Sequence, residues 1–126
     1  MDSSKPKHAL TFSIWFGYLF FVIYGSLVPL DFKPLPIDQA WAAFQQTPLL
    51  VLGVESRADW IANGVLYVPV GFLTAHLLIQ NFAKTWRIPL YILSGLFSCT
   101  LAFGIEFTQL FFPPRTVSLN DLLAEC

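Results

Sequence analysis

A single glutamate inside an apolar segment is the residue of this chain whose position most suggests chemistry. Glu106 follows a long apolar run, and Gln109 comes one helical turn later. A charge at the centre of a membrane helix costs roughly 2.5–3.5 kcal/mol on insertion scales, so such a residue must face a bundle interior or a wet cavity. The Pro113-Pro114 break follows, and then a polar patch over residues 115–121. The patch contains Arg115, Asn120 and Asp121.

The composition indicates that these residues belong to a membrane protein. Of the 126 residues, 56% are hydrophobic and 12% are charged, and the mean hydropathy is +0.62. A soluble domain carries about 25% charged residues, so the low charged fraction predicts that this chain is a membrane protein. The net charge of −1 comes without a basic cluster, which argues against a nucleic-acid partner. Cys99 and Cys126 lack C-x-x-C spacing, so we predict neither a disulfide nor a metal ligand from them.

Three apolar stretches are long enough to cross a bilayer, and they cover about residues 9–30, 60–79 and 88–112. At 1.5 Å per residue, about 20 residues cross the roughly 30 Å hydrocarbon core. The first stretch has no convincing cleavage site, so we interpret it as a retained helix. We expect Asp59 to be the N-cap or a first-turn acid of the second span, and Pro69 to kink that span. The predicted fold class is all-α, a polytopic transmembrane helix bundle forming a single domain over the whole chain.

The segment 31–59, between the first two spans, is half polar. Ile37, Trp41 and Phe44 recur at helical spacing, and polar residues occupy the rest of the turn. This pattern predicts a short helix on the membrane surface over about residues 37–47. A partly buried loop is the alternative.

After the Pro-Pro break the pattern indicates the start of one more helix. Either Ser118 or Asn120 suits its N-cap. We expect that a fourth span follows Cys126.

The distribution of basic residues favours one orientation. The amino terminus and the 80–87 hairpin share four Lys and Arg residues, and the other side has three. The positive-inside rule then places the amino terminus in the cytoplasm, in the inner (cytoplasmic) membrane, with segment 31–59 outside. The start of the second span and the end of the third meet at one membrane face. That face gathers Arg57, Asp59, Asn63, Glu106, Gln109, Arg115, Asn120 and Asp121.

Helical spacing groups the same residues further. At about 100° per residue, two stripes are expected to face each other. The stripe of the third span holds Gly95, Ser98, Cys99, Ala102, Glu106 and Gln109, and that of the second span holds Asp59, Asn63, Tyr67, Val70 and Thr74. Small residues allow close helix contact, so the stripes predict an outward-opening polar notch. We expect Arg57 or Arg115 to pair there with Glu106 or Asp59.

Glu106 has two interpretations at this stage. It is either a packing device, with its carboxyl hydrogen-bonded to Asn63 or Gln109, or a ligand-contacting or proton-handling group. Glu106 with Asp59 and Asp121 is a weak pattern for a metal site, so we predict no metal and no cofactor. No Ser/His/Asp arrangement, P-loop or dinucleotide motif is present.

Two motifs resemble the signatures of a known family. Residues 59–72 read D-x-x-x-N-x-x-x-Y-x-P-x-G-F, and residues 106–109 read E-x-x-Q, followed by Arg115 and Asp121. In this order and spacing they resemble the VanZ-like family. The resemblance implies a small multi-span protein of the cell envelope with both motifs at the extracytoplasmic face. The family is named for a member linked to resistance to the glycopeptide teicoplanin. One departure is Glu125, where the family often has Asn.

Three functional hypotheses follow. In the preferred one a non-enzymatic protein binds the headgroup of an anionic lipid or lipid-linked cell-wall precursor, with Arg57 and Arg115 meeting phosphate. In the second, an intramembrane enzyme uses Glu106 as general acid or base on a lipid-linked substrate. In the third, the protein is an assembly or scaffold component that oligomerises through the small-residue stripe. The predicted binding residues are Arg57, Asp59, Asn63, Tyr67, Glu106, Gln109, Arg115, Asn120 and Asp121.

Overall fold

The structure, a computed structural model, contains helices and no strands in the part of the chain that it describes. It describes residues 4–49, 54–80, 82–113, 115 and 117–126, without the side chains of residues 4–7, 54–56 and 59. The helices are α1 (Ser4–Leu27), α2 (Ile37–Gln45), α3 (Val54–Ile79), α4 (Arg87–Gln109) and α5 (Leu119–Glu125), with a 3-10 turn at Lys84–Trp86. The predicted all-α class is confirmed.

Three of these helices are long and apolar enough to cross a membrane. The apolar windows are His8–Leu27, Trp60–Ile79 and Lys84–Gln109. The first helix ends at Leu27, before residue 30, because Pro29 has no N–H to continue it. The third long helix, α4, ends at Gln109 and is followed by a tighter turn, in which the Phe112 N–H donates to the Gln109 carbonyl over 2.9 Å.

The start of α3 differs from the prediction. The helix begins at Val54, so Asp59 lies in its second turn, and the expected N-cap or first-turn role of Asp59 is wrong. The side chain of Asp59 lies outside the described part of the chain. Pro69 is inside α3, which continues to Ile79.

The core of the bundle is narrow. It lies where α1, α3 and α4 meet and consists of Val22, Tyr67, Val70, Ala102 and Ile105. Many large apolar side chains point outward instead, and only 6% of the α1 window is buried. In a bilayer such side chains face lipid tails, so apolar burial drives helix association weakly, and close packing and hydrogen bonds matter more.

Hydrogen bonds hold α1 against the other two long helices. They run from Trp15 Nε1 to Thr74 Oγ1 (2.9 Å), from Tyr18 Oη to the Leu66 carbonyl (2.9 Å) and from Gln109 Nε2 to the Ser26 carbonyl (3.1 Å). The three contacts lie between the middle of α1 and its carboxyl end.

Aromatic rings attach α2 to the end of α4. The Phe44 ring meets the edge of Phe103 at 4.8 Å and that of Phe107 at 5.6 Å between centroids. Ala40 is buried, and Ile37 is exposed. The predicted surface segment 37–47 thus contains a helix that packs on α4 along one face.

The last helix, α5, packs against both α3 and α4. Ser118 caps it, since the Asp121 N–H donates to Ser118 Oγ over 3.1 Å. A Cβ on Gly64 of α3 would lie 3.1 Å from the Ala124 carbonyl oxygen, so the two backbones approach closely here because residue 64 has no side chain. Cys99 Sγ donates to the Cys126 carbonyl over 3.6 Å. Cys99 lies about 15 Å along α4 from Gln109, so α5 enters the bundle between its neighbours.

Candidate functional site

Three carboxyl groups gather where the ends of α1 and α4 meet the start of α3, which we call the polar end. They belong to Glu106 of α4 and to Asp121 and Glu125 of α5, and they form the carboxyl cluster. Asp121 and Glu125 are four residues apart and therefore share a face of α5. Glu106 is 2% exposed and Glu125 is 6% exposed.

Asp121 is the best-satisfied member of the cluster. Its Oδ1 accepts from Asn63 Nδ2 of α3 over 3.0 Å, and its Oδ2 accepts from the Ser118 hydroxyl over 2.6 Å. Asp121 therefore joins α5 to α3 at the polar end. The sequence-based expectation that Asn63 and Asp121 come level with Glu106 agrees with this placement.

Glu106 faces the bundle interior and is only partly satisfied. The Ser118 backbone N–H donates to its carboxyl group, and the Asp121 carboxylate acts on it electrostatically. Its Oε2 atom has no hydrogen-bond partner. The expected bonds to Asn63 or Gln109 are wrong, because the Asn63 amide is used by Asp121 and the Gln109 amide by Ser26.

Glu125 lies deeper along α5 and faces Tyr67 of α3. Burial, followed by the nearby charges of Glu106 and Asp121, raises the pKa of Glu125 to about 8, although the Tyr67 hydroxyl opposes the shift. The hydroxyl and carboxyl face each other without a hydrogen bond of good geometry, since Tyr67 Oη and Glu125 Oε2 both lack partners. Both atoms can still accept a donor.

The two predicted cationic partners lie elsewhere. Arg115 donates from Nε to the Val28 carbonyl over 2.6 Å and from Nη2 to the Gly25 carbonyl over 2.7 Å. The expected pairing of Arg115 with Glu106 is wrong, because the open carbonyls at the end of α1 attract the guanidinium. Arg57 is exposed in the first turn of α3.

No cation neutralises the carboxyl cluster within the described ranges. The ion pair found there, Lys33 with Asp31 at 3.9 Å, is exposed and lies outside the cluster. The charged groups acting on Glu106 and Glu125 are other acids. The cluster is therefore an uncompensated acidic region inside the bundle.

The remaining predicted residues have structural contacts. The Asn120 carbonyl accepts from Trp60 Nε1 over 2.7 Å, which ties the first turn of α5 to α3. Gln109 and Arg115 both donate to carbonyls of α1, those of Ser26 and Gly25. Among the predicted residues whose side chains are described, the structure brings together Asn63, Tyr67, Glu106 and Asp121 at the cluster.

A cavity of about 230 Å³ lies between α3 and α4 beside the end of α5, and we call it the α3–α4 cavity. Its lining includes Gly64, Tyr67, Gly71, Gly95, Ser98 and Glu125. It opens sideways at Gly95, an exposed residue, and at Val68, which is 67% exposed. Beyond Tyr67 and Glu125, it contains one more buried atom without a partner, Ser98 Oγ.

Sequence reasoning missed Glu125 as a site residue. Its position four residues after Asp121 was the available signal, because it places both acids on one helical face. Ser118 was predicted only as a cap, yet it contacts both Glu106 and Asp121. Ser98 was assigned to the small-residue stripe without a role at the site.

The cluster does not resemble a metal centre. Across the described residues, no group of three or more His, Cys, Asp or Glu side chains is arranged to hold a metal ion. Hydrogen bonding and proton transfer are the chemistry that its carboxyl, hydroxyl and amide groups support.

The fold and site define an all-α membrane protein with an acidic polar end, in which three helices of the described chain are long and apolar enough to cross a membrane. The chain matches the family model VanZ/LLP1 over residues 9–126, and it belongs to the VanZ/LLP1 family. The family resemblance drawn from the two motifs is thereby confirmed. No curated protein and no solved structure matches the chain significantly.

Proposed function

We propose that this membrane protein binds the polar headgroup of a lipid, or of a lipid-linked cell-wall precursor, at the polar end of its bundle. One observation carries the proposal. Glu106 is 2% exposed and keeps an unpartnered Oε2 atom beside two further carboxyl groups. A buried acceptor without a partner costs about 1–3 kcal/mol, and a ligand that donates hydrogen bonds recovers that cost.

The setting supports a cell-envelope ligand. The family resemblance implies an envelope protein connected with glycopeptide resistance, for which a lipid-linked precursor is a suitable ligand. The proposed location is the inner membrane with a cytoplasmic amino terminus, and the polar end then opens to the outside. The described hydrogen bonds of the Arg115 side chain use only Nε and Nη2, so an exposed guanidinium edge is available to a phosphate at the rim.

Native mass spectrometry of the purified protein tests this proposal. We expect co-purified lipid or precursor on the wild-type protein and about tenfold less on Glu106→Gln, because the substitution removes an acceptor for a charged donor. Asp38→Asn is the matched control, since Asp38 is an exposed acid on α2 away from the cluster. Arg115→Ala should weaken retention of anionic headgroups. Equal retention by the wild type, Glu106→Gln and Arg115→Ala would contradict headgroup binding.

The same cluster also fits an intramembrane enzyme acting on a lipid-linked substrate. The observation in favour is the pair of buried carboxyl groups, Glu106 and Glu125, since neighbouring acids of different environment suit general acid and base roles. If the protein is an enzyme, the purified wild type should form product from an added lipid-linked substrate. Glu106→Gln should lose this product formation while it keeps the fold. Substrate that binds and is recovered unchanged assigns the cluster to binding alone.

A further inference from the structure

The α3–α4 cavity is lined by several buried polar atoms that have no hydrogen-bond partner. Four buried side-chain atoms in the described chain lack a partner, and three of them belong to residues that line this cavity. They are Tyr67 Oη, Ser98 Oγ and Glu125 Oε2. Their residues are 3%, 6% and 6% exposed, so bulk water does not satisfy these atoms. Buried polar groups normally have partners, so the concentration of exceptions at one place points to a ligand.

We propose that the α3–α4 cavity binds a primary ammonium group, such as the amine of an aminolipid headgroup. The inference rests on the proposed function and specifies the charge and the donors of the headgroup. A primary ammonium carries three N–H donors, and the cavity offers a carboxylate oxygen and two hydroxyl oxygens as acceptors.

The charge of the surroundings favours a cation over an anion. The lining contains no Lys, Arg or His within the described residues, and Glu125 supplies a carboxyl group. Glu106 and Asp121 add negative potential from nearby, since both act electrostatically on Glu125. A phosphate here would meet acids and no basic side chain. An ammonium would instead neutralise a buried carboxylate that otherwise lacks a counter-ion.

The lining also distinguishes a primary ammonium from a quaternary one. Quaternary ammonium groups are recognised by cages of aromatic rings. Tyr67 is the one aromatic residue of the described lining, so the lining cannot form a cage of several rings, and Ser98 and Glu125 supply hydrogen-bonding groups instead. A trimethylated nitrogen has no N–H and cannot satisfy Tyr67 Oη or Ser98 Oγ.

The opening of the cavity suits a molecule that arrives through the bilayer. Gly71 and Gly95 leave space on facing helices, and a Cβ built on Gly95 meets nothing within 4 Å. The exposed positions Val68 and Gly95 lie on the surface that would face lipid. An aminolipid can therefore present its headgroup from the side while its chains remain in the membrane.

The test compares lipids that differ only in their headgroup. The purified protein is titrated with phosphatidylethanolamine, phosphatidylcholine and phosphatidylglycerol of identical acyl chains, and binding is measured by native mass spectrometry. We expect the ethanolamine lipid to bind about tenfold more tightly than the choline lipid, because hydrogen bonds to a charged group are lost with the N–H donors. Glu125→Gln should remove this preference.

A pair of glycine variants on α4 separates cavity filling from general damage. Gly95 lines the cavity and Gly104 does not, so Gly95→Leu is expected to fill the cavity and Gly104→Leu to leave it open; neither Cβ meets an atom within 4 Å. The ethanolamine preference should disappear in Gly95→Leu and persist in Gly104→Leu. Loss of the preference in both variants, or in neither, overturns the inference.

The outcomes distinguish this inference from the proposed function. Lipid retention without preference for the ethanolamine lipid overturns the ammonium site and leaves headgroup binding intact. Absence of retained lipid overturns headgroup binding, and absence of both retained lipid and bound soluble amine overturns the two proposals together. Addition of soluble ethanolamine or glucosamine to delipidated protein identifies the source of the amine. Binding of a soluble amine, lost in Gly95→Leu, supports the ammonium site with a soluble ligand in place of a lipid.

Discussion

Two crevices beside α4, both lined by described residues, differ in how their hydroxyl groups are satisfied. The larger one, of about 450 Å³, lies against α1 and is lined mainly by apolar side chains. Its hydroxyls bond back to their own helix: Thr100 Oγ1 donates to the Leu96 carbonyl over 2.8 Å, and Thr108 Oγ1 donates to the Gly104 carbonyl over 2.6 Å. In the α3–α4 cavity, by contrast, Ser98 Oγ has no partner.

The comparison shows that size is a poor guide to function in this bundle. The groove beside α1 has about twice the volume of the α3–α4 cavity, but it offers a ligand mainly apolar contacts, which any lipid tail can fill. The smaller cavity holds unsatisfied polar atoms whose cost falls only when a donor arrives. Three predictions test whether this difference is real.

The largest effect is expected when α5 is displaced from the cavity. Gly64→Leu places a side chain where even a Cβ would lie 3.1 Å from the Ala124 carbonyl, so overpacking should cost about 1–3 kcal/mol of folding free energy. Thermal unfolding measures the loss, and faster maleimide labelling of Cys99 in a Cys126→Ser background reports the movement of α5. Gly104→Leu, in the groove beside α1, should change neither. Equal effects of the two variants would remove the distinction between the crevices.

A smaller effect is expected from pH. The pKa of Glu125 is 4.5 ordinarily and about 8 in the fold, so the folded state binds the proton more tightly than the unfolded state. Stability from this group is therefore full below about pH 4.5 and falls as the pH rises towards about 8. The charged and titratable neighbours are Tyr67 of α3, Glu106 of α4, Asp121 of α5 and Cys126, which follows α5.

Glu125→Gln should flatten this dependence. Melting temperatures at pH 5 and pH 8 should differ less in the variant than in the wild type, and the variant should be the more stable protein at pH 8. Ammonium binding should depend on pH in the opposite direction to stability, because ionisation of Glu125 strengthens the binding. The affinity for the ethanolamine lipid should therefore rise from pH 5 to pH 8. Parallel melting profiles in both proteins would refute the role given to Glu125.

The smallest effect concerns single hydroxyls. Ser98→Ala removes an unpartnered hydroxyl and should leave the lipid-free protein as stable or more stable, by up to about 1 kcal/mol. The same variant should lower the ethanolamine preference. Thr100→Val, in the groove beside α1, is the matched control and should leave lipid preference unchanged. Chemical denaturation in detergent and the lipid titration measure the two effects. A loss of preference in Thr100→Val would contradict the comparison.

The sequence was sufficient for the helices and for the meeting of Asn63, Glu106 and Asp121. Composition indicated a membrane bundle, and antiparallel spans bring the start of α3 level with the end of α4. The sequence also offered Ser118 and Asn120 as alternative caps of α5, and Ser118 is the cap in the structure. These features depend on local pattern and on connectivity alone.

Other features depended on contacts that spacing does not encode. The position of Arg115 follows from where α1 ends, because free carbonyls at that end accept its guanidinium. Asp59 was misassigned because α3 begins five residues earlier, at Val54. The role of Glu125 depends on how closely α5 packs against Gly64, a distance that no residue type reveals.

The way α1 is fastened has a consequence for motion. Bonds at Trp15, Tyr18, Ser26 and the Arg115 guanidinium are distributed from the middle of the helix to its carboxyl end. Sliding α1 by one turn, or rotating it about its axis, would break all of these at once, with no intermediate register that keeps half of them. The first helix should therefore have one stable position in the bundle and no stable position shifted by a turn. We expect this position to stay the same when the thickness of the surrounding bilayer changes slightly.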